Sequence, residues 1–325
     1  MGEPELSSWK RVRDRIHAAR TDWSIGSGRT GHDLFGEILA VGVDTLGRVV
    51  VLDDQRGTVR LFDESGTLVD QFGDLGDGPA GLRTSWGFGL QQDGSIAVYL
   101  DARRVKYFAL VDDEWSLTHT ALLPMTVESV CEMHDGRVFV HGAHDRSDDR
   151  SVALFYEAIS VSDGDFRGFG RRYLGKWFAA DDMSLGRLAC LDGSNQIVFA
   201  HEMLPTIEAF SAETGAAQWV SRPVDYIQMD VIEHPQGTVE YNWGHGDALV
   251  AALTTPSQYV LVQYARAMRG VDDRSIRSYL INPVSGLGAF IGDTLPIIKA
   301  FHENGYIAVL RDPVLRLEAR RFTGR

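Results

Sequence analysis

The chain has 325 residues, and its 45 Asp and Glu outnumber its 32 Lys and Arg, which gives a formal net charge of −13. Proteins that bind nucleic acids cluster Lys and Arg against phosphates, so this balance argues against a nucleic-acid partner. No apolar run reaches the roughly 18 residues of a membrane-spanning helix, and we predict no membrane span. A content of 44% hydrophobic residues with 34 glycines is typical of many short strands joined by tight turns.

The first predicted element is a short amphipathic helix. Ser7 has the side chain of an N-cap, and apolar residues follow it at helical spacing up to Ile16. We expect this lead helix, assigned to residues 1–20, to pack on the wall of a β domain. The protein is expected to be cytoplasmic if this N-terminus is native, and secreted or periplasmic if an export signal has been removed.

Residues 38–82 show the pattern of four short strands joined by three tight turns. The turns carry Gly47, Gly57 and Gly66, and β-branched or alternating residues lie between them. Four such strands form an antiparallel meander that cannot bury both of its faces alone and must stack on copies of itself. Related copies of the turn and second strand begin near residues 93, 135, 194, 257 and 304.

The end of the first repeat is its most specific part, where residues 72–82 read FGDLGDGPAGL. With Gly47, Asp53, Gly66 and the run RLFD at residues 60–63, this loop makes the unit resemble an NHL-type repeat. The whole chain resembles bacterial six-bladed β-propeller proteins. Family loops usually carry Gly-Glu-Phe after the proline, where this chain has Ala-Gly-Leu. NHL-type propellers include protein binders, RNA binders and enzymes, so the resemblance implies a shape and leaves the function open.

We therefore predict an all-β fold, a six-bladed β-propeller with a short N-terminal helix. The last repeat supplies three strands, and an N-terminal strand is expected to complete it, which removes the exposed edges of an open ring. The propeller is assigned to residues 21–325 and is expected to be a monomer. Its predicted blades are residues 36–73, 84–123, 127–174, 185–222, 239–292, and 295–325 plus 22–26.

A candidate site follows from the geometry of such a ring. The first strand of each blade lines the central channel, and residues just before the first strands or just after the second strands meet at one mouth. Lys299 is expected just before the last of these first strands. A mouth lined with aromatic and charged groups suits a small-molecule ligand. The ligand-binding candidates at these positions are Glu37, Arg83, Trp86, Glu128, Trp177, Tyr241, Trp243, Tyr264 and Arg311.

The catalytic candidates are His141, His201 and Glu202. The adjacent pair His201 and Glu202 ends an apolar strand, and a partly buried glutamate there would have a raised pKa suited to acid–base work. The same pair can instead hold a loop by hydrogen bonds. Asp53 ends its strand where an aspartate commonly bonds the following turn, so we predict a structural role for it.

Two histidines on one predicted loop raise the alternative of a metal site. His141 and His144 can hold a divalent ion, zinc or calcium, together with ligands from the next blade. Histidines at this spacing in a loop are also common as polar surface. Cys131 and Cys190 lie in apolar contexts in different blades, and we predict buried free thiols rather than a disulfide.

Two functions remain open from the sequence. The first is a propeller that binds a small molecule or a protein at its channel mouth and catalyses nothing. The alternative is an enzyme on the same scaffold, of the hydrolase, lyase or condensing and cyclising types that the resemblance implies, with His and Glu as acid–base groups and a metal ion. The chain has no Gly-x-Ser-x-Gly, Cys-x-x-Cys or His-Glu-x-x-His motif, so no serine or cysteine nucleophile is indicated.

Overall fold

The structure is a computed structural model that describes residues 3–26, 34–100, 103–123, 125–142, 155–160, 165–169, 185–234, 238–242, 244–268, 271–311 and 314–323. Within these residues there are one α-helix, α1 (Glu3–Ala18), and 26 β-strands. The strands form six four-stranded antiparallel sheets and one two-stranded hairpin.

The first three four-stranded sheets follow one another along the chain, and each runs from the channel outward. They comprise β2 (Ile38–Val43), β3 (Val49–Asp53), β4 (Thr58–Phe62) and β5 (Leu68–Phe72); β6 (Ser85–Leu90), β7 (Ile96–Leu100), β8 (Arg104–Val111) and β9 (Glu114–Leu122); and β10 (Ser129–Glu132), β11 (Val138–His141), β12 (Phe155–Ser160) and β13 (Asp165–Phe169).

The fourth to sixth sheets repeat this order, and a small hairpin lies between the fourth and the fifth. The sheets comprise β14 (Gly186–Leu191), β15 (Gln196–His201), β16 (Ile207–Ser211) and β17 (Ala217–Ser221); β20 (Gly246–Thr254), β21 (Val260–Met268), β22 (Val271–Ile281) and β23 (Gly288–Gly292); and β24 (Ile297–His302), β25 (Gly305–Leu310), β26 (Arg316–Arg321) and β1 (Arg20–Ile25). The hairpin comprises β18 (Val231–Glu233) and β19 (Val239–Tyr241).

The innermost strands close a ring around a central channel. β2, β6, β10, β14, β20 and β24 contact one another in this order, and β24 contacts β2 again. Second strands such as β3, β7 and β15 are buried along their whole length, because neighbouring sheets cover both of their faces. The predicted all-β propeller with one helix is confirmed for the residues that the structure describes.

The sixth sheet joins two distant parts of the chain, as predicted. β1 pairs antiparallel with β26, with Trp23 opposite Ala319 and Ile25 opposite Leu317. Trp23 and Ile25 also pack against the buried cluster that contains Ile307 and Leu317. The N-terminal strand thus covers an edge of β26 that would otherwise be open to pairing with another chain.

The helix α1 packs across the fifth and sixth sheets, where Val12 and Ile16 are buried among apolar residues of both. This is the expected position on the wall of the propeller. The helix begins at Glu3, so Ser7 lies inside it and the predicted N-cap role of Ser7 is wrong. Acidic residues before Ser7 favour the start of a helix there through the helix dipole. Among the described residues, no helix combines the length and the apolar character that crossing a membrane requires.

The prediction of two free thiols is wrong, because Cys131 and Cys190 form a disulfide. Cys131 lies on β10 and Cys190 on β14, and these innermost strands of the third and fourth sheets contact each other. The two Cα atoms are 5.6 Å apart although the residues are 59 positions apart in the sequence. The bridge therefore ties two adjacent sheets together beside the channel.

Candidate functional site

A cavity of about 640 Å³ lies at the mouth of the central channel. We call it the mouth cavity. It forms where innermost strands begin and where the second strands of the first and sixth sheets end, which is the mouth predicted from the sequence. Its walls include the apolar side chains of Ile38, Leu249 and Val250. Its charged and amide groups come from Glu37, Asp54, Gln55, Arg187, Lys299 and Arg311.

A second cavity of about 160 Å³ lies further along the channel, and all six innermost strands contribute to it. It shares Arg187, Val250 and Lys299 with the mouth cavity. Trp86 and Glu128, two predicted ligand-binding residues, line this second cavity. Trp86 is 44% exposed, so much of its ring is open to a ligand in the channel.

Four of the cavity-lining residues occupy β-bulges in the innermost strands. The register shifts at Leu39, Trp86, Val250 and Lys299, one in each of four sheets. A bulge removes a residue from regular pairing and re-aims its side chain. Since all four residues line a cavity, the bulges determine which side chains the channel presents.

Asp53 holds the strand end that presents Glu37. Its carboxylate accepts hydrogen bonds from the backbone N–H groups of Gly36 at 2.9 Å and Glu37 at 3.1 Å. It also accepts from the N–H of Arg56 in the following turn, and the buried guanidinium of Arg60 lies 3.5 Å away. The predicted role of Asp53 in bonding the following turn is confirmed, and the same carboxylate fixes the rim of the mouth cavity.

The positive charges of the mouth cavity lie at two depths. Arg187 and Lys299 are partly buried, whereas Arg311 and Glu37 are exposed at the rim. Burial, and then the charges of Arg187 and Arg311, lower the pKa of Lys299 to about 7, and Glu37 opposes this shift. Burial also lowers the pKa of Arg187, and the carboxylate of Glu202 opposes it. The Nε atom of Arg187 has no hydrogen-bond partner within the described residues.

Glu202 lies beside Arg187, whereas its neighbour His201 contacts other residues. Burial raises the pKa of Glu202, as expected from the sequence, while the charge of Arg187 lowers it. The ring of His201 instead contacts Phe199, two residues earlier on the same face of β15, with centroids 4.7 Å apart. Glu202 follows the last residue of β15, and the two residues that were predicted to act together have different partners.

His141 and His201 meet around Phe199 at the junction of the third and fourth sheets. The ring centroid of His141 lies 4.5 Å from that of Phe199. The Nδ1 atom of His141 is 3.4 Å from the Oε2 atom of Glu128, and the Nε2 atom of His201 is 3.4 Å from the Oε2 atom of Glu208. Both imidazoles are buried, and neither lines the mouth cavity. The structure therefore brings the two histidines together but not to the channel mouth.

The other predicted residues fall in different places. Arg83 is exposed, lies 3.6 Å from Asp77 and lines neither cavity. Tyr264 is fully buried among other tyrosine rings, and Tyr241 packs on the hairpin against a cluster around Met203. Of the predicted set, the mouth cavity thus receives Glu37 and Arg311. The predicted residues that lie outside the described ranges are His144, Trp177 and Trp243.

Arg187 is the principal residue of the mouth cavity that sequence reasoning missed. Lys299 was expected before its strand but lies within it. The signal that could have found both is a single cation inside an otherwise apolar innermost strand. β14 reads GRLACL and β24 reads IIKAFH.

The predicted zinc or calcium site is not tested by the structure, because His144 lies outside the described residues. Across the ranges given above, no group of three or more His, Cys, Asp or Glu residues is placed to hold a metal ion. A metal at His141 and His144 stays a prediction.

Solved structures resemble this chain over almost its whole length. A putative exported protein from Bacteroides fragilis has a TM-score of 0.60 at 12% identity, over 95% of this chain and 96% of its own. A DUF4221 family member from Bacteroides vulgatus has a TM-score of 0.60 at 7% identity, over 94% and 98%. The chain has a β-propeller fold. A virginiamycin B lyase from Staphylococcus aureus, solved with quinupristin, has a TM-score of 0.50 at 8% identity, over 88% and 95%.

At sequence identities of 7–12%, these similarities show a shared fold and nothing more. No protein-family model matches the chain, and no curated protein matches it. The resemblance of the first repeat to the NHL type therefore stays a prediction.

Proposed function

We propose that the chain is a six-bladed β-propeller that binds a small anionic molecule in the mouth cavity. Each four-stranded sheet is taken as one blade, since the six innermost strands contact one another in a closed order. In this proposal residues 1–20 form the lead helix and residues 21–325 form the propeller. The first blade is assigned to the NHL type on its loop and turn residues.

The observation that carries this proposal is the set of three cations that line the mouth cavity. Arg187, Lys299 and Arg311 come from three separate segments yet line one cavity. Within the described part of the chain, none of the three forms an ion pair. Glu202 and Glu37 act on Arg187 and Lys299 without forming an ion pair in the described residues. These two cations are partly buried at a cost in free energy, and a bound anion offsets that cost. The chain as a whole carries a net charge of −13, so a group of three cations at one site contrasts with its overall negative charge.

The size and lining of the cavity indicate the class of ligand. Its volume of about 640 Å³ is within the range of roughly 300–1,000 Å³ for small-molecule sites. Guanidinium groups form paired hydrogen bonds with carboxylates and phosphates. The carboxylate of Asp54, which also lines the cavity, accepts the Ser85 N–H at 3.0 Å. We therefore propose a small carboxylate or phosphate whose apolar part lies against Leu249 and Val250.

Binding of small anions tests this proposal. At constant ionic strength, we expect at least one member of a panel of carboxylates and phosphates to raise the melting temperature of the wild-type protein. Its affinity should fall as salt rises, because the attraction is electrostatic. Arg311→Gln is expected to weaken binding about tenfold through loss of a charged donor at the rim. Calorimetric titration measures both affinities.

Arg83→Gln is the matched control, because Arg83 is an exposed arginine outside both cavities. We expect this variant to bind the same anion as tightly as the wild type. Equal losses in the two variants would place the anion elsewhere. A wild-type protein that binds no member of the panel would contradict the proposal and favour a protein partner.

One observation favours the alternative of an enzyme on this scaffold. Glu202 lies beside the channel residue Arg187, and burial raises its pKa, which favours the protonated form that a general acid needs. The lyase described above is an enzyme of similar fold. In this alternative His141 and His201 assist as acid–base groups, with a zinc or calcium ion. Conversion of a bound anion, followed by NMR and lost in Glu202→Gln, would support it, and an unchanged ligand would favour binding alone.

We also propose that the protein is monomeric and is secreted or periplasmic. Disulfides such as Cys131–Cys190 are typical of oxidising compartments. The similar protein from Bacteroides fragilis is described as a putative exported protein. Recovery of the native protein from the cytoplasm alone, with both cysteines open to alkylation, would contradict this location.

A further inference from the structure

Lys299 has surroundings that differ from those of a surface lysine. It occupies the bulge of β24 and lines both cavities. Within the described residues its Nζ atom has a single polar contact, the carbonyl oxygen of Leu39 at 3.5 Å. This distance is at the outer limit of a hydrogen bond, so the protein leaves most of the bonding capacity of the amine unused.

Burial, and then the charges of Arg187 and Arg311, favour the neutral form of this amine, and Glu37 opposes them. Arg187 and Arg311 repel a further positive charge, and Glu37 is the carboxylate that acts on the amine from the rim. Together with burial, they set the pKa of Lys299 at about 7. About half of the molecules at neutral pH then carry a free lone pair on Nζ, whereas a lysine with a pKa of about 10.4 is almost fully protonated. The unprotonated amine is the form that attacks carbonyl groups.

We propose that Lys299 captures the carbonyl carbon of a small 2-oxo acid as a reversible Schiff base. This inference rests on the proposed function, because the anion site positions the ligand. In a 2-oxo acid the carboxylate and the carbonyl group occupy adjacent carbons. A carboxylate held by Arg187 or Arg311 therefore places the carbonyl carbon next to an amine that lines the same cavity.

The reaction needs no oxidant, reductant or cofactor. The lone pair of Nζ forms a bond to the carbonyl carbon, and the carbonyl oxygen takes up the proton that the nitrogen releases. The resulting hydroxyl group then leaves as water with the second proton of the nitrogen, and a C=N bond remains. Glu37, on the rim of the same cavity, is the group that can carry protons between nitrogen and oxygen. Hydrolysis reverses the sequence.

Reductive trapping with glyoxylate tests the inference. Borohydride converts a Schiff base into a stable amine, and peptide mass mapping identifies the labelled residue. The chain has four lysines, at positions 10, 106, 176 and 299, so the assignment is simple. At pH 7 we expect Lys299 to be labelled about tenfold faster than the exposed Lys10. We expect no label on Lys106, whose Nζ donates to two backbone carbonyl oxygens.

Acetaldehyde is the matched probe, because it has the same reactive group without the carboxylate. We expect it to label Lys299 about tenfold more slowly than glyoxylate does. Arg311→Gln should slow both reactions at pH 7 by raising the pKa of Lys299, and it should slow the glyoxylate reaction more, because only glyoxylate has a carboxylate to lose its partner. Lys299→Arg keeps the charge and should abolish the label while phosphate still binds. For both probes, the rate at Lys299 should rise with a midpoint near pH 7.

The outcomes separate this inference from the function on which it rests. Equal labelling of Lys10 and Lys299 overturns the Schiff base. Anion binding that is weakened in Arg311→Gln, without any label on Lys299, overturns the Schiff base and leaves the anion site standing. Fast labelling of Lys299 with no preference for glyoxylate supports a nucleophilic amine but overturns the anion site and the assigned ligand class.

Discussion

Two lysines of this chain are withdrawn from solvent, and their surroundings differ. Lys106 on β8 is 4% exposed and donates hydrogen bonds to the carbonyl oxygens of Gly78 at 2.7 Å and Gly81 at 2.6 Å. Lys299 on β24 lines two cavities and reaches one carbonyl oxygen at 3.5 Å. Burial lowers the pKa of both side chains.

Burial alone therefore does not show whether a lysine stabilises the fold or is available to bind a ligand. The acceptors of Lys106 belong to the loop of residues 76–82, so this lysine holds that loop in place. In the part of the chain that the structure describes, the surroundings of Lys299 supply no comparable acceptors, so its charge is a cost to the fold that a ligand can offset. Lys106 and Lys299 thus differ in the number of hydrogen-bond acceptors that the protein provides for the amine.

The largest effect expected from this comparison is a loss of stability in Lys106→Met. The change removes the charged donor from the buried carbonyl oxygen of Gly81 and from the carbonyl oxygen of Gly78, and we expect the free energy of unfolding to fall by about 3 kcal/mol. Denaturant unfolding measures the loss. Lys10→Met, on the exposed side of α1, is the control and should stay within about 0.5 kcal/mol of the wild type. Similar results for both variants would mean that Lys106 does not hold the loop.

For Lys299→Met we expect the free energy of unfolding to rise by about 2 kcal/mol below pH 7. There both the folded and the unfolded wild-type chains carry the charge, and its full cost is present. As pH rises from the folded pKa of about 7 toward the unfolded value of about 10.4, the folded state loses the proton first and the wild type gains stability. The wild type gains about 1.4 kcal/mol per pH unit in this range, so the advantage of the variant should be lost within about two pH units above 7. An advantage that is constant with pH would show that packing, not charge, sets it.

A buried carboxyl group, that of Glu132, is expected to have a smaller effect on stability. Glu132 on β10 accepts a hydrogen bond from the Nε2 atom of Gln91 at 2.9 Å, and burial, with the charge of Asp93, raises its pKa to about 7. The folded state thus binds the proton more tightly than the unfolded state, and the wild type loses stability as pH rises from about 4.3 through 7. We expect Glu132→Gln to raise the free energy of unfolding by about 1 kcal/mol at pH 8 and to leave it unchanged at pH 4. Thermal unfolding at both pH values tests this, with the exposed Glu303→Gln unchanged as the control.

The sequence predicts the sheets well because their signals are local. Gly47 has a positive φ of 78°, and such turn glycines recur between strands whose residues are apolar or alternate. Glu37 and Arg311 could be placed at the mouth because they flank predicted strands. Lys299 and Arg187 were not placed in the channel, because a single cation in an apolar strand does not show which way its side chain points, and the bulge at Lys299 depends on packing between neighbours. The disulfide also depends on the ring, since it joins residues that only stacking brings together.

The pairing of β1 with β26 sets an order of events during synthesis. Asp22 and Arg321, which bond across these strands, are 299 positions apart. At roughly 5–20 residues per second, β1 leaves the ribosome tens of seconds before its partner exists. The ring therefore cannot close until β26 has been synthesised. During that interval the nascent chain exposes unpaired strand edges that a chaperone would have to shield.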